Sequence, residues 1–167
     1  GHTLDEAITL VEGICQNWTE GIKILDDLLL TENEDRKEQV SVIKALSVLL
    51  ESGKNILRFY KLRDLLRRQI DDPNKLINEL RNIVSKEISN SKAMIELCNL
   101  DGRLGYHSEA EGYKFFPDKL RHRIFILEEL LNTEFPEVEK RIKDGFSPLE
   151  YYLGVEEDSK AYQLSST

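Results

Sequence analysis

Apolar side chains return at alternating steps of four and three from Leu4 through Ile8, Val11, Cys15, Trp18, Ile22 and Leu25 to Leu29. Such a seam turns one face of a helix towards a neighbour, so the spacing predicts a first helix from Thr3 to about residue 30. Thr3 and Glu6 mark its start as a capping box, in which hydroxyl and carboxylate each take a backbone N–H left free at a helix end. Gly13 and Gly21 interrupt the seam at a cost of about 1 kcal/mol each relative to alanine, unless a neighbouring element comes close there. Residues 31–36 read as a short polar link. A second helix is predicted from near Glu34 to about Ile70, with Val40, Ile43, Leu46, Leu50, Leu57, Tyr60 and Leu65 apolar and Gly53 where the seam needs a small residue. The short link leaves no room for a crossover, so these two helices form an antiparallel hairpin.

Asp71-Asp72-Pro73 ends the second helix and starts a third, because proline in a first turn lacks only an N–H that would be unpaired anyway. Leu76, Leu80, Val84, Ile88, Ile95 and Cys98 carry its stripe. Between Asn99 and Phe116 the periodicity lapses and three glycines fall close together. It returns from Pro117 with Leu120, Ile124, Leu127 and Leu131. Phe135-Pro136 is expected to break this fourth helix, a short one to cover residues 137–143, and Gly145 to end that. Ser147-Pro148 opens a last turn. The predicted fold is therefore all-α: an antiparallel bundle of three long helices, a fourth helix and short C-terminal helical turns. Residues 1–155 read as one helical domain, and the acidic, then serine-rich residues 156–167 as a tail or linker.

The chain's 167 residues are enough for one domain with a core, since a domain of this size buries roughly two-thirds of its unfolded surface. Only 9 Gly and 4 Pro fits few, long elements. Net charge changes the picture more. At −8 the chain lacks the basic surface that phosphate neutralisation needs, which excludes general nucleic-acid binding. No apolar stretch has the length of a membrane span. Cys15 and Cys98 show no metal-ligand spacing and read as small buried hydrophobes. Gly1 in place of Met, with a helix start at Thr3, suggests a segment of a longer protein.

Polar chemistry is densest in residues 101–114, where Asp101, Arg103, Tyr106, His107, Glu109, Glu111 and Tyr113 lie close together. His107, Glu109 and Glu111 alternate, and an extended segment would project all three to one side. They could then ligate a divalent cation or set an acid beside a base. A polar interhelical loop also uses such residues simply to cap helix ends. On the second helix Lys54, Arg58 and Lys61 share a face, and Arg63, Arg67 and Arg68 follow. Guanidinium groups suit bidentate capture of a carboxylate or phosphate, and Phe59 and Tyr60 beside Arg58 leave open a sugar or carboxylate pocket. The plainer account is a solvated face paired with neighbouring acids, with the aromatics in the core. No nucleophile elbow, P-loop, Rossmann glycine motif or zinc signature is present, so neither a cofactor nor independent catalysis is expected.

Two stretches carry a family resemblance: NILRFYKLRDLL (Asn55–Leu66) and LDGRLGYHSEAEGYKFFPDKLRHRI (Leu100–Ile124). Both resemble the helical region after the catalytic barrel in large bacterial carbohydrate-active proteins similar to α-glucuronidase-like glycoside hydrolases. RLGYHSEAEG is the most particular part, and with its flanks the likeness covers about two-thirds of the chain. The resemblance implies a non-catalytic accessory module that packs on a barrel, where it shapes the sugar cleft, or dimerises; it points to Arg103, Tyr106, His107 and Glu109 as the residues facing the barrel or its carbohydrate. The catalytic carboxylates of such enzymes lie on barrel strands, which this chain lacks. Two rival readings remain open from the residues: a free-standing helical interaction domain, and a small-ligand or metal-binding domain using residues 101–113.

Overall fold

The computed structural model describes residues 3–28, 34–104 and 117–149, with side chains for all of these except 26–28 and 34–39. Five α-helices follow one another: α1 Leu4–Leu28, α2 Glu34–Arg68, α3 Pro73–Leu100, α4 Pro117–Glu129 and α5 Phe135–Lys143. There is no strand among the described residues. The fold is the expected all-α bundle.

Local chemistry sets most helix ends. The capping box forms as read, with the Thr3 amide donating to Glu6 Oε2 at 2.8 Å and the Glu6 amide donating to Thr3 Oγ1 at 3.3 Å. Asp72 caps α3 by accepting from the Asn74 amide at 3.0 Å, with Pro73 in the first turn. Two helices close with the same pair of nested bonds, from the amides of the last two turn residues back to carbonyls of the final helical turn. Gly145 adopts φ +78 at the end of α5, whose bonds are Gly145 to Ile142 and Phe146 to Arg141. Gln69, a residue with a Cβ, adopts φ +54 in the same role after α2.

Each helix packs on the next in an antiparallel series: α1 on α2, α2 on α3, α3 on α4, with α5 returning to α3. Long-range bonds give the directions. Trp18 of α1 meets Ile43 and Asp5 meets Lys61, while Ser41 and Ser52 of α2 meet Asp101 and Glu87. Central position makes α3 the most buried helix, with ten buried side chains. Its lower half joins Leu62, Leu66 and Phe135 in one apolar cluster around Leu76, Ile77, Leu80 and Val84. Its upper half joins Ala45 and Leu120 around Met94 and Cys98. Burying one of these aliphatic side chains contributes about 1.5–3 kcal/mol.

Two expectations are corrected. Phe135-Pro136 does not break the fourth helix, because a π-helical turn, Leu130–Glu134, carries α4 straight into α5. There Phe135 N–H bonds to the Leu130 carbonyl, five residues back. The same register directs the Leu131 carbonyl to position 136, where proline has no N–H. Arg81 of α3 supplies the missing donor, with Nη1 3.2 Å from the Leu131 oxygen. Second, the seam does not need a small residue at Gly53, where a Cβ would meet nothing within 4 Å among the described residues; the same open space at Gly13 and Gly21 leaves their cost relative to alanine uncompensated. Trp18 is half-buried on the seam, and its indole Nε1 donates to the Ile43 carbonyl at 3.0 Å, tying α1 to α2. Cys15 and Cys98 are buried and not joined in a disulfide, and burial pushes their thiols up from the ordinary range.

Candidate functional site

Polar residues interrupt the apolar stripes of three helices at one level. On α3 the core-facing series runs Leu80, Val84, Glu87, Ser91, Met94 and Cys98, so Glu87 and Ser91 stand where apolar residues are due. On α2 the matching positions hold Ser52 and Asn55, and on α4 Arg123. A buried carboxylate persists only when its oxygens are bonded. Glu87, 5% exposed, is served from both neighbouring helices. Ser52 Oγ donates to Oε1, Asn55 Nδ2 donates to Oε2 at 2.9 Å, and Arg123 Nη2 donates to Oε1 at 2.7 Å. No buried side-chain polar atom is left unpaired among the described residues.

Beside this layer, α2 and α4 stand apart over α3 and leave a cleft of about 370 Å³. Asn55, Glu87 and Arg123 close one end, and Arg63 and Leu130 lie towards the other. Ile83 and Val84 form the floor, and Ile56, Phe59, Tyr60 and Leu127 the walls. Phe59 and Tyr60 meet edge to face, with ring centres 6.4 Å apart. Phe59 turns into the core, whereas Tyr60 stands on the rim, 58% exposed.

The basic residues of α2 divide in two. Lys54 pairs with Glu51 at 2.6 Å, Lys61 with Asp5 at 2.5 Å, and Arg67 and Arg68 both with Asp64. This is the solvated, acid-paired face. Arg58 and Arg63 enter no ion pair or hydrogen bond among the described residues, and only Arg63 borders the cleft. Arg103, expected to face a barrel or a sugar, folds back on Asp101, its Nε and Nη2 2.9 and 2.7 Å from the two carboxylate oxygens. Asp101 is itself buried at the end of α3 and accepts from Ser41 Oγ at 2.9 Å. The Arg103 side chain and amide hold its carboxyl well below the usual carboxylate range. Asp101 and Arg103 thus form a helix-end clasp, with the Arg103 side chain itself exposed. Tyr106, His107, Glu109 and Glu111 lie outside the described residues. Among the described residues no three His, Cys, Asp or Glu side chains are grouped to hold a metal ion, and no helix is long and apolar enough to cross a membrane.

No protein-family model, curated protein or solved structure matches the chain. What the site can do therefore follows from its geometry. Sequence reasoning missed Glu87 and Arg123, although a charge standing on a stripe's own spacing was the available signal.

A second surface lies on α1. Leu10, Ile14, Asn17, Gly21 and Ile24 repeat the four-three spacing on a face beside the seam to α2. Leu10, Ile14 and Ile24 are 56, 48 and 62% exposed. Beside them Trp18, Ile22, Leu25 and Ile43 line an apolar groove of about 470 Å³.

Proposed function

We propose that the chain is a non-catalytic helical accessory module of a larger carbohydrate-active protein, and that it packs on that protein's catalytic barrel through the outer face of α1. The observation that carries this reading is the second apolar stripe of α1. A helix that packs on one neighbour needs one apolar stripe, and α1 exposes Leu10, Ile14 and Ile24 in addition to its own. Apolar surface left over in this way, beside a groove, marks interaction surfaces in soluble proteins. The resemblance of Asn55–Leu66 and Leu100–Ile124 to the helical region after a glycoside hydrolase barrel supplies the partner.

Hydrogen exchange along α1 tests the reading, in this chain alone and in the full-length parent. Protection of Leu10–Ile24 should rise in the parent, and Ile14→Glu with Ile24→Glu should abolish that rise while leaving the chain's own melting temperature nearly unchanged. Equal protection in both contexts overturns the reading. So does a stable dimer of the isolated chain that the same two changes dissolve, since a second copy would then be the occupant. The purified chain should not hydrolyse aryl glycosides, and turnover lost on Glu109→Gln or Glu111→Gln would count against a non-catalytic module.

A further inference from the structure

The α2–α4 cleft is independent of the α1 face, and its composition is unlike the rest of the molecule. On a chain of net charge −8, its ionisable lining consists of Arg63, Glu87 and Arg123, one formal positive charge in balance. Neither arginine is fully used. Arg63 has no partner among the described residues, and every bond of Arg123 runs through Nη2, leaving Nε and Nη1 without acceptors on a side chain 35% exposed. The eight steps from Asn55 to Arg63 carry the cleft about 12 Å along α2 at about 1.5 Å per residue. Between the two cations the surface is aliphatic and aromatic.

We propose that this cleft binds a monocarboxylate carried on an apolar body, its carboxylate taken by a guanidinium and its alkyl or aryl part laid over Val84 against Tyr60 and Leu127. Guanidinium donors match a carboxylate in a planar fork. One net positive charge suits a monoanion, and the apolar walls disfavour a phosphate dianion or a sugar, whose hydroxyls would lose water without gaining partners. A volume of about 370 Å³ lies at the small end of small-molecule sites, too short for a docked helix.

The test is a titration of the ¹⁵N-labelled chain with decanoate and 2-naphthoate, and with decanol and 2-naphthylmethanol as uncharged partners. Shifts should map to Tyr60, Arg63 and the Arg123 Nε–H, and each alcohol should bind at least about tenfold more weakly than its acid. Arg63→Gln should weaken both acids about five- to tenfold with no change in melting temperature, because that side chain is exposed and supports nothing else. Tyr60→Ala separates the two sources: a loss confined to naphthoate identifies an aryl ligand, and equal losses an alkyl one. The proposal is overturned if the alcohols bind as well as the acids, if Arg63→Gln changes nothing, or if the shifts fall on the α1 groove. Tighter binding of an acidic amphipathic helical peptide along this cleft would also overturn it, by making a protein helix the occupant.

Discussion

Gln69 closes α2 in the left-handed region, where a Cβ crowds the following carbonyl and glycine does not. Gly145 makes the same turn after α5 without that crowding. Gln69→Gly should therefore stabilise the chain by about 0.5–1 kcal/mol, the left-handed gain exceeding glycine's extra chain entropy. A urea midpoint that fell would show that the Gln69 side chain contributes more than its backbone costs. Asp101 illustrates how one residue sets acid behaviour. Its carboxyl titrates lower in the folded chain than in the unfolded one, so its contribution is complete above about pH 4 and drains away as the pH falls further. Asp101→Asn should lower the urea midpoint at pH 7, and the gap to the parent chain should narrow steadily from pH 4 towards pH 2. A gap that stayed constant would mean that the clasp works through hydrogen-bond shape and not through charge.

At the scale of the element, the π turn between α4 and α5 depends on a residue from another helix. Arg81 serves the Leu131 carbonyl, pairs with Glu139 at 3.0 Å and lies 5.0 Å from the centre of the Phe135 ring. Arg81→Met should cost about 1–3 kcal/mol by stranding that carbonyl, and Arg81→Lys should recover only part, since a compact ammonium lacks the rigid fork that reaches Leu131 and Glu139 while the group lies over the Phe135 ring. Equal stability of Arg81→Met and the parent chain would place the repair elsewhere. This turn also marks where the sequence stops being legible. The Thr3–Glu6 box, the Asp72-Pro73 restart and the Gly145 stop are local, and each forms where it was read. Pro136 was read as a break because its remedy sits fifty residues away on α3. The same limit hid the cleft. Arg63 is visible as a cation, but its lack of a partner emerges only after Lys54, Lys61, Arg67 and Arg68 have taken the nearby acids. Glu87 and Arg123 are two charges on two stripes until the helices bring them together.

Across the whole molecule, the Glu87 layer lies between the two apolar clusters and joins α2, α3 and α4. A buried pair of this kind is weak evidence for stability, because desolvating both charges offsets much of their attraction. Its defect appears when one partner goes. Arg123→Met should cost about 2–4 kcal/mol, somewhat below a fully buried pair because the guanidinium is partly exposed, since the buried Glu87 carboxylate loses its one cationic partner and keeps only the neutral donors Ser52, Asn55 and Asn90. Adding Glu87→Leu to Arg123→Met should restore most of that loss, as the layer then becomes apolar and continuous with the clusters on either side. The measurement is a double-mutant cycle in urea. Losses that simply add would mean that the two side chains stabilise the bundle separately and that the layer is not a unit. Recovery of stability would leave registry as what the pair supplies, since polar positions on three helices that satisfy one another at a single level admit one alignment of α2 and α4 on α3. That alignment is also what holds α2 and α4 apart over Val84, so the recovered double variant should keep its helicity and yet lose the carboxylate binding proposed for the cleft.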